Sequence, residues 1–306
     1  MARQEGDDLP EAAEARMAEI RGSGTWGSSL SADEFAAIKS TGFEPVGQVL
    51  GAAVYNIGYT GGYACPGAWA GYGGFVTPTR GVTSVSSGGA SYSAFGPMVA
   101  TLYEARHKAL SRMEEECREL GGHGVVGVDL TIGAFPAGGL EFKAIGTAIR
   151  APGAASLKRP FTSALSGQGF AKLVLAGWVP AGLVLGISIG SRHDDWMTVT
   201  QTRWGSGNSE VHGYTDLVNQ TRHDARSQLE RDVARHGAAG VVVQEMTMRV
   251  RERECPMQEG RRDHIVEATI IGTSIAQFAQ RDRPPAPPLA IMSLDPQRRQ
   301  AARVRL

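Results

Sequence analysis

An internal repeat constrains the fold of this chain more than any other feature of its sequence. Residues 105–126 (ARHKALSRMEEECRELGGHGVV) align without a gap to residues 221–242 (TRHDARSQLERDVARHGAAGVV), with 9 identities in 22 positions. Self-similarity over such a length indicates a duplicated structural unit. The sequence therefore predicts two tandem copies of one domain.

The match continues on both sides of this segment and sets the expected boundaries. After it, Gly146-Thr147-Ala148-Ile149 is similar to Gly272-Thr273-Ser274-Ile275; before it, we pair Phe35 with Phe161 and Gly42-Phe43 with Gly169-Phe170. We expect a first copy over residues 25–150, a linker over 151–160 and a second copy over 161–278. Residues 1–24 are expected to be an acidic flexible tail with a helical stretch near 11–21, and residues 279–306 a Pro/Arg-rich flexible tail.

Each copy has the same order of predicted elements. An apolar, glycine-rich opening (residues 46–57 or 173–189) predicts paired strands, and a helix of about twenty residues ends at Gly121 or Gly237, where a glycine cap is expected. Two further strands follow, over 125–132 and 140–149 in the first copy and over 241–250 and 264–275 in the second. One long helix on one face of a small, mainly antiparallel sheet buries both apolar faces. The predicted fold class is therefore α+β, as two tandem two-layer units.

Composition excludes several classes of protein. The 306 residues carry 31 Lys and Arg against 31 Asp and Glu, so no overall field attracts phosphate and no specific nucleic-acid partner is expected. Three cysteines without CxxC spacing and a beginning without a secretory signal favour a cytoplasmic location.

The uncharged segment 173–190 has almost the length of a membrane helix. Its glycines, its proline and its β-branched residues favour two buried strands joined by a turn at VPAG. We therefore expect no membrane span.

Two segments distinguish the copies. In residues 59–95 glycine alternates with aromatic residues, which is typical of a surface loop whose rings pack on their own sheet, or of a ligand lid or a subunit contact. Residues 249–263 (RVRERECPMQEGRRD) predict a solvated β-arm.

A polar stripe recurs on the outer face of both predicted helices. His107, Ser111 and Glu114 of the first helix align with His223, Ser227 and Glu230 of the second, and Arg106 and Arg222 flank the two core faces. A solvated face would diverge freely between copies. We therefore expect the stripe to contact a neighbouring subunit, the other repeat or a ligand, with interface hydrogen bonding the favoured role.

The stripe alone cannot hold a metal ion. Residues seven apart on a helix, such as His107 and Glu114, lie about 10 Å apart along its axis, whereas metal–ligand bonds are about 2 Å long. A metal site would need a second element, and His107, His223, Cys65 and Cys255 are its candidate ligands. His193, His212 and His264 do not recur and are interpreted as surface residues.

Enzyme motifs do not occur: the sequence has no GxSxG, HExxH or P-loop pattern. We therefore predict no enzymatic activity. The alternative is a hydrolase or redox enzyme with a composite site at a subunit seam, built from His107 or His223 with Glu114 or Glu230.

The repeated residues resemble a known family. Tyr103-Glu104-Ala105-Arg106, Ala109 and Met113, followed by Gly124-Val125-Val126-Gly127-Val128 and Gly146-Thr147-Ala148-Ile149, resemble the YbjQ-like family, which carries a heavy-metal-binding label. The second copy matches through Ala225, residues 237–242 and residues 272–275. The resemblance implies a dodecin-like α+β unit that assembles into rings, described as pentamers, without established enzymatic activity. It transfers no defined set of metal ligands.

A physical argument also favours assembly. A small sheet covered by one helix leaves strand edges open, and ring formation pairs such edges. We expect a ring-forming homo-oligomer that binds a small ligand or a divalent metal ion, or acts as an assembly scaffold. An adaptor that acts through its charged tails is a further alternative.

Overall fold

The computed structural model describes residues 9–24, 27–56, 83–87, 95–135, 139–154, 157, 159–205, 207–255 and 260–278. The first half of the chain forms α1 (Glu11–Ser23), α2 (Ala32–Ser40), β1 (Glu44–Tyr55), β2 (Thr83–Ser87), α3 (Gly96–Glu119), β3 (Gly124–Phe135) and β4 (Gly139–Arg150). The second half forms β5 (Phe161–Thr162), α4 (Gly167–Leu175), β6 (Trp178–His193), α5 (Trp196–Gln201), α6 (His212–Arg235), β7 (Gly240–Glu254) and β8 (Arg262–Gln277).

The strands form two four-stranded sheets, which confirms the α+β class. The first sheet has the order β1-β4-β3-β5 and the second the order β2-β6-β8-β7. All pairs are antiparallel except β3 with β5. We call α2, β1, α3, β3 and β4 the first unit, and α4, β6, α6, β7 and β8 the second unit. Both units have the same element order, and each sheet packs on a 24-residue helix.

The two long helices end as their glycines predict. Gly121 has a φ of 69° and donates its N–H to the Arg118 carbonyl, while Gly122 donates to Cys117. Gly237, with a φ of 61°, closes α6 in the same way. Left-handed backbone at this position favours glycine, because a side chain there meets the following carbonyl.

The layers are first sheet, α3, second sheet and α6. Leu185 and Ile187 of β6 join the hydrophobic cluster that α3 forms with the first sheet. Val184 and Ala268, on the opposite face of the second sheet, pack on Leu229 of α6. The second sheet is therefore covered on both faces, which explains why β6 is apolar at almost every position.

The interpretation of segment 173–190 as two strands joined by a turn was wrong. Its first residues end α4, Gly177 has a φ of 87°, and β6 then runs without a break through VPAG. A β-bulge between Pro180 and Gly182 accommodates the proline within the strand. The opening of the first unit is likewise the single strand β1, with a bulge between Pro45 and Gly47. No described helix is long and apolar enough to cross a membrane.

The structure also corrects the alignment that precedes the long helices. Because α2 and β1 precede α3 as α4 and β6 precede α6, Phe35 aligns with Phe170 rather than with Phe161. Residues 30–51 then match residues 165–186 without a gap, with 10 identities in 22 positions. Ser31 and Ser166 are equivalent N-cap residues in this alignment. The domain boundaries themselves stay a prediction.

The described part of the expected acidic tail is a helix. Within α1, Met17 is buried, and Arg16 and Arg21 pair with Glu116 and Glu119 of α3. Residues 1–8 and the expected tail over 279–306 lie outside the described residues. Most of the Gly/aromatic segment does too, but its residues 83–87 form β2 on the second sheet.

Candidate functional sites

The chain that leads into the second unit lies on an edge of the first sheet. β5 pairs in parallel with β3, placing Phe161 opposite Gly124 and Thr162 opposite Val125. Beyond β5, the N–H of Ser163 donates to the Val125 carbonyl at 2.9 Å, and Val128 donates to the Ser163 carbonyl at 2.9 Å. The second unit therefore completes the sheet of the first.

Hydroxyl groups fix the conformation of this segment. The hydroxyls of Ser163 and Thr273 lie 3.3 Å apart, and the Thr273 hydroxyl accepts the N–H of Ala164 at 3.1 Å. The Ser163 hydroxyl accepts the N–H of Leu165 at 3.1 Å. Thr273 belongs to β8, so the segment is attached to its own unit while it covers the other.

The chain that leads into the first unit has the same arrangement. The hydroxyls of Ser28 and Thr147 lie 3.4 Å apart, and the Thr147 hydroxyl accepts the N–H of Ser29 at 3.3 Å. The Ser28 hydroxyl accepts the N–H of Leu30 at 3.0 Å. We call residues 27–31 the leading segment. Its hydrogen bonds to Thr147 are equivalent to those that attach residues 162–166 to Thr273.

The covered edge of β3 is closely packed. Val125 and Val126 are fully buried, and Phe170 of α4 packs with Val126 and Ile149. The ring of Phe161 lies directly over Gly124, where an added Cβ would come within 2.3 Å of the ring. A larger residue at position 124 would require the Phe161 ring to move.

The equivalent edge of β7 is open. β7 ends the second sheet, and the described residues place no strand on its outer side. Val241 and Val242 are half-buried and Val243 is 49% exposed. At Gly240 an added Cβ would meet nothing closer than Ile275, at 3.8 Å. One edge is covered and its counterpart is not.

The polar stripe of α3 is partly engaged within this chain. Arg106 is 5% exposed, its guanidinium lies 5.9 Å from the centre of the Phe142 ring, and burial lowers its pKa to about 10. Tyr103 lies one turn before Arg106 on α3, and its hydroxyl accepts the N–H of Ile187 in the second sheet at 2.6 Å. Glu114 accepts two hydrogen bonds from Arg159, at 2.9 and 3.2 Å, and these raise the pKa of Arg159. His107 is exposed beside Tyr103, and Ser111 is exposed as well.

The polar stripe of α6 faces solvent in this chain. Arg222, His223 and Glu230 are exposed and Ser227 is half-buried. Glu230 pairs with Arg226, one turn earlier, at 3.2 Å. Arg106 and Glu114 are therefore engaged in the first unit while Arg222 and Glu230 are exposed in the second, and both histidines of the stripe are exposed.

The predicted metal ligands have different positions. Neither His107 nor His223 belongs to a group of potential ligands in the described part of the chain. Cys65 lies outside the described residues. Cys255 is buried and lies in a cluster with His193 and Asp263, in which the ligand atoms are all within 4.8 Å of one another.

This cluster, which we call the strand-end cluster, is positioned by the second sheet. His193 ends β6, and the register places it opposite Asp263 near the start of β8, while Cys255 directly follows β7. Nδ1 of His193 lies 2.9 Å from Oδ1 of Asp263, and Arg253 donates to Oδ2 at 3.2 Å. Imidazole, thiol and carboxylate together are a donor set for a divalent transition metal.

A second polar group adjoins the strand-end cluster. The Tyr214 hydroxyl donates to Asp194 at 2.9 Å and lies 2.7 Å from Nε2 of His264. Burial and the bond to Asp194 raise the pKa of Tyr214. The interpretation of His193 and His264 as surface residues was wrong. The expected solvated β-arm forms, with residues 249–252 exposed, but Cys255 and Asp263 are buried at its base. No local motif joins these residues, and only the sheet register brings them together.

The composite site of the enzyme alternative would lie at a seam between subunits. The described residues include no hydrogen bond between His107 and Glu114, and the carboxylate of Glu114 is engaged by Arg159. A largely apolar cavity of about 520 Å³ lies nearby at the seam between the units, lined in part by Phe161, His123 and His236. His123 accepts the N–H of Ala151 at 3.0 Å.

Fold and junction define an α+β protein of two sheet-and-helix units, in which the start of one unit completes the sheet of the other. A family model described as "Putative heavy-metal-binding", YbjQ, matches residues 81–152. The encapsulin nanocompartment protein Rv1762c of Mycobacterium tuberculosis is 32% identical over 224 residues, which are 70% of this chain and 75% of that protein. The chain belongs to the YbjQ-like family.

Proposed function

We propose that this protein is a non-enzymatic assembly protein whose chains join head to tail into a closed ring. The observation that carries the proposal is the difference between the covered edge of β3 and the open edge of β7. In a second copy of the chain, the leading segment has the conformation of residues 162–166. It would add to β7 as residues 162–165 add to β3, by pairing with residues 241–244.

A second pair of surfaces supports the same arrangement. Leu185, Ile189 and Ile271 of the second sheet face α3, and by alignment their counterparts in the first sheet are Leu50, Val54 and Ile145. Val54 is 49% exposed, while Leu50 and Ile145 are half-buried. The stripe of α6, equivalent to that of α3, would cover this face in the next chain. The candidate residues Arg222, His223, Ser227 and Glu230 would then be interface residues.

The two surfaces of each chain are different, so the contact is heterologous. Such contacts form closed rings when the rotation per step closes, and filaments when it does not. Because each chain adds two units, a ring of alternating units contains an even number of them. A ring of five units, which the family resemblance implies for single-unit chains, does not fit this arrangement, whereas five chains would give a ring of ten units.

The relative supports an assembly role. Its name places it with an encapsulin nanocompartment, and a self-associating chain is suited to building or lining such a particle. The free, buried thiols of Cys117 and Cys255 fit a reducing compartment, and we propose the cytoplasm.

The test is the mass of the native protein in solution. Native mass spectrometry and light scattering should give one assembly whose mass is an integer multiple of 32.4 kDa greater than one. Val243→Lys places a charge on the open edge and should shift the distribution strongly toward monomer, because a lysine on an edge strand opposes strand addition. Val250→Lys, also exposed on β7 but beyond the paired region, is the control and should leave the assembly intact.

Two results would overturn the proposal. One is a monomeric wild-type protein at micromolar concentration. The other is an assembly that Val243→Lys and Val250→Lys leave equally intact.

A further inference from the structure

We propose that the strand-end cluster of His193, Cys255 and Asp263 binds one divalent transition-metal ion per chain, with zinc as the probe ion. The cluster lies outside residues 81–152, the segment that the family model matches. The inference is independent of the ring, because all three residues belong to one chain and one sheet.

The geometry needs only a small adjustment to accept an ion. Ligands at 2.0–2.3 Å around a tetrahedral zinc ion are about 3.5 Å apart. The ligand atoms of the cluster are within 4.8 Å of one another. Closing this gap takes side-chain shifts of about 1 Å, while strand pairing holds His193 and Asp263 and the N–H of Cys255 donates to the Arg261 carbonyl at 2.8 Å. Three protein ligands leave a fourth position for water.

The charges of the cluster also suit a cation. A thiolate and a carboxylate together neutralise the two charges of the ion, and a neutral imidazole completes the set. Arg253 opposes the ion by its charge, but it holds Oδ2 of Asp263 and so directs Oδ1 toward His193. A hydrogen-bonded outer partner of this kind orients ligating carboxylates in metal sites.

Packing separates Cys255 from an ordinary core cysteine. Cys117 is buried inside the main hydrophobic cluster, whereas Cys255 is equally free and buried but belongs to none of the hydrophobic clusters of the described residues. Its thiol lies among polar groups. The shorter hairpin of the first unit, residues 124–150, contains neither histidine nor cysteine. The stoichiometry is therefore one ion per chain rather than two.

The experiment uses the full chain, free of any affinity tag and stripped with chelator. Titration with zinc should give one bound ion per chain and raise the melting temperature by about 5 °C at a hundredfold excess over Kd. Cobalt should give a thiolate-to-cobalt charge-transfer band. Cys255→Ser should abolish that band, and Asp263→Asn and His193→Gln should each weaken zinc binding by more than about tenfold.

Matched variants control for thiols and histidines elsewhere. Cys65→Ser removes another thiol, and His212→Gln removes an exposed histidine; both should bind zinc as the wild type does. A cobalt band that survives Cys255→Ser or disappears with Cys65→Ser would refute the site.

A measurement on the unaltered protein guards against misfolded variants. Zinc should slow alkylation of Cys255 by iodoacetamide by more than about tenfold. An unchanged alkylation rate with no retained zinc would overturn the inference. Oligomer mass in the same samples reports on the ring separately.

Discussion

At the scale of single residues, two buried acids occupy equivalent positions on the long helices. Glu116 accepts the N–H of Leu50 at 2.7 Å, and Asp232 accepts the N–H of Leu185 at 3.1 Å. Each of these N–H groups lies on the side of β1 or β6 away from its neighbour strand β4 or β8, where backbone pairing is missing. The acids therefore replace a missing strand partner at these points.

The first of these acids should make stability depend on pH. Burial raises the pKa of Glu116 above its ordinary value of 4.5. A carboxyl whose pKa is raised on folding stabilises the folded state most at low pH, and this contribution is lost as pH rises through the folded pKa. The stability deficit of Glu116→Gln relative to wild type should therefore grow as pH falls from 7 toward 4.

Urea unfolding across this range measures the deficit. Glu119→Gln, at an exposed partner of Arg21, is the control and should stay within about 0.5 kcal/mol of wild type. A deficit for Glu116→Gln that shrinks toward acid pH would contradict the argument.

At the scale of elements, each long helix crosses its sheet at a glycine. An added Cβ at Gly51 of β1 would lie 1.8 Å from the Ala109 carbonyl oxygen of α3. At the aligned Gly186 of β6 it would lie 2.2 Å from the Ala225 carbonyl oxygen of α6. Both obstacles are backbone atoms, so the spacing of helix and sheet depends on these two residues.

Substitution at this crossing should be costly. Gly51→Ala must separate α3 from β1 and should lower the free energy of unfolding by about 2–4 kcal/mol in urea titrations. Gly133→Ala, in β3 of the same sheet, meets no atom within 4 Å and should change it by less than about 0.5 kcal/mol. Equal effects of the two substitutions would show that the crossing tolerates a methyl group.

At the scale of the whole molecule, one chain contains both partners of the proposed contact. The leading segment and the outer face of the first sheet lie in the first unit, and the β7 edge and the stripe of α6 lie in the second. The register of β5 on β3 pairs Thr162 with Val125. Gly27 aligns with Thr162 and Val241 aligns with Val125. In the proposed contact, Gly27 of one chain would therefore lie opposite Val241 of the next.

That register predicts a specific cross-link. In a Cys65→Ser background, Gly27→Cys combined with Val241→Cys should form intermolecular disulfides on mild oxidation, because paired strand residues lie within disulfide reach. Non-reducing gels should show a ladder of species that stops at the number of chains in the ring. Gly27→Cys with Val250→Cys should give no ladder. A ladder without an upper limit would indicate an open filament, and no cross-link at all would reject the register.

The sequence by itself determined the α+β class and the order of the long helix and the two strands after it. It also determined where α3 and α6 end. These features follow from local chemistry, that is, from hydrophobic periodicity and from glycines that accept a left-handed backbone.

Only the tertiary structure decided which distant residues meet. Segment 173–190 is the end of a helix and one strand, because β6 is buried from both sides and its apolar run carries no period. His193, Cys255 and Asp263 converge through sheet register, which no local spacing records. The open edge of β7 is evident only by comparison with the covered edge of β3, because the identical sequences GVV at 124–126 and 240–242 differ in what lies against them.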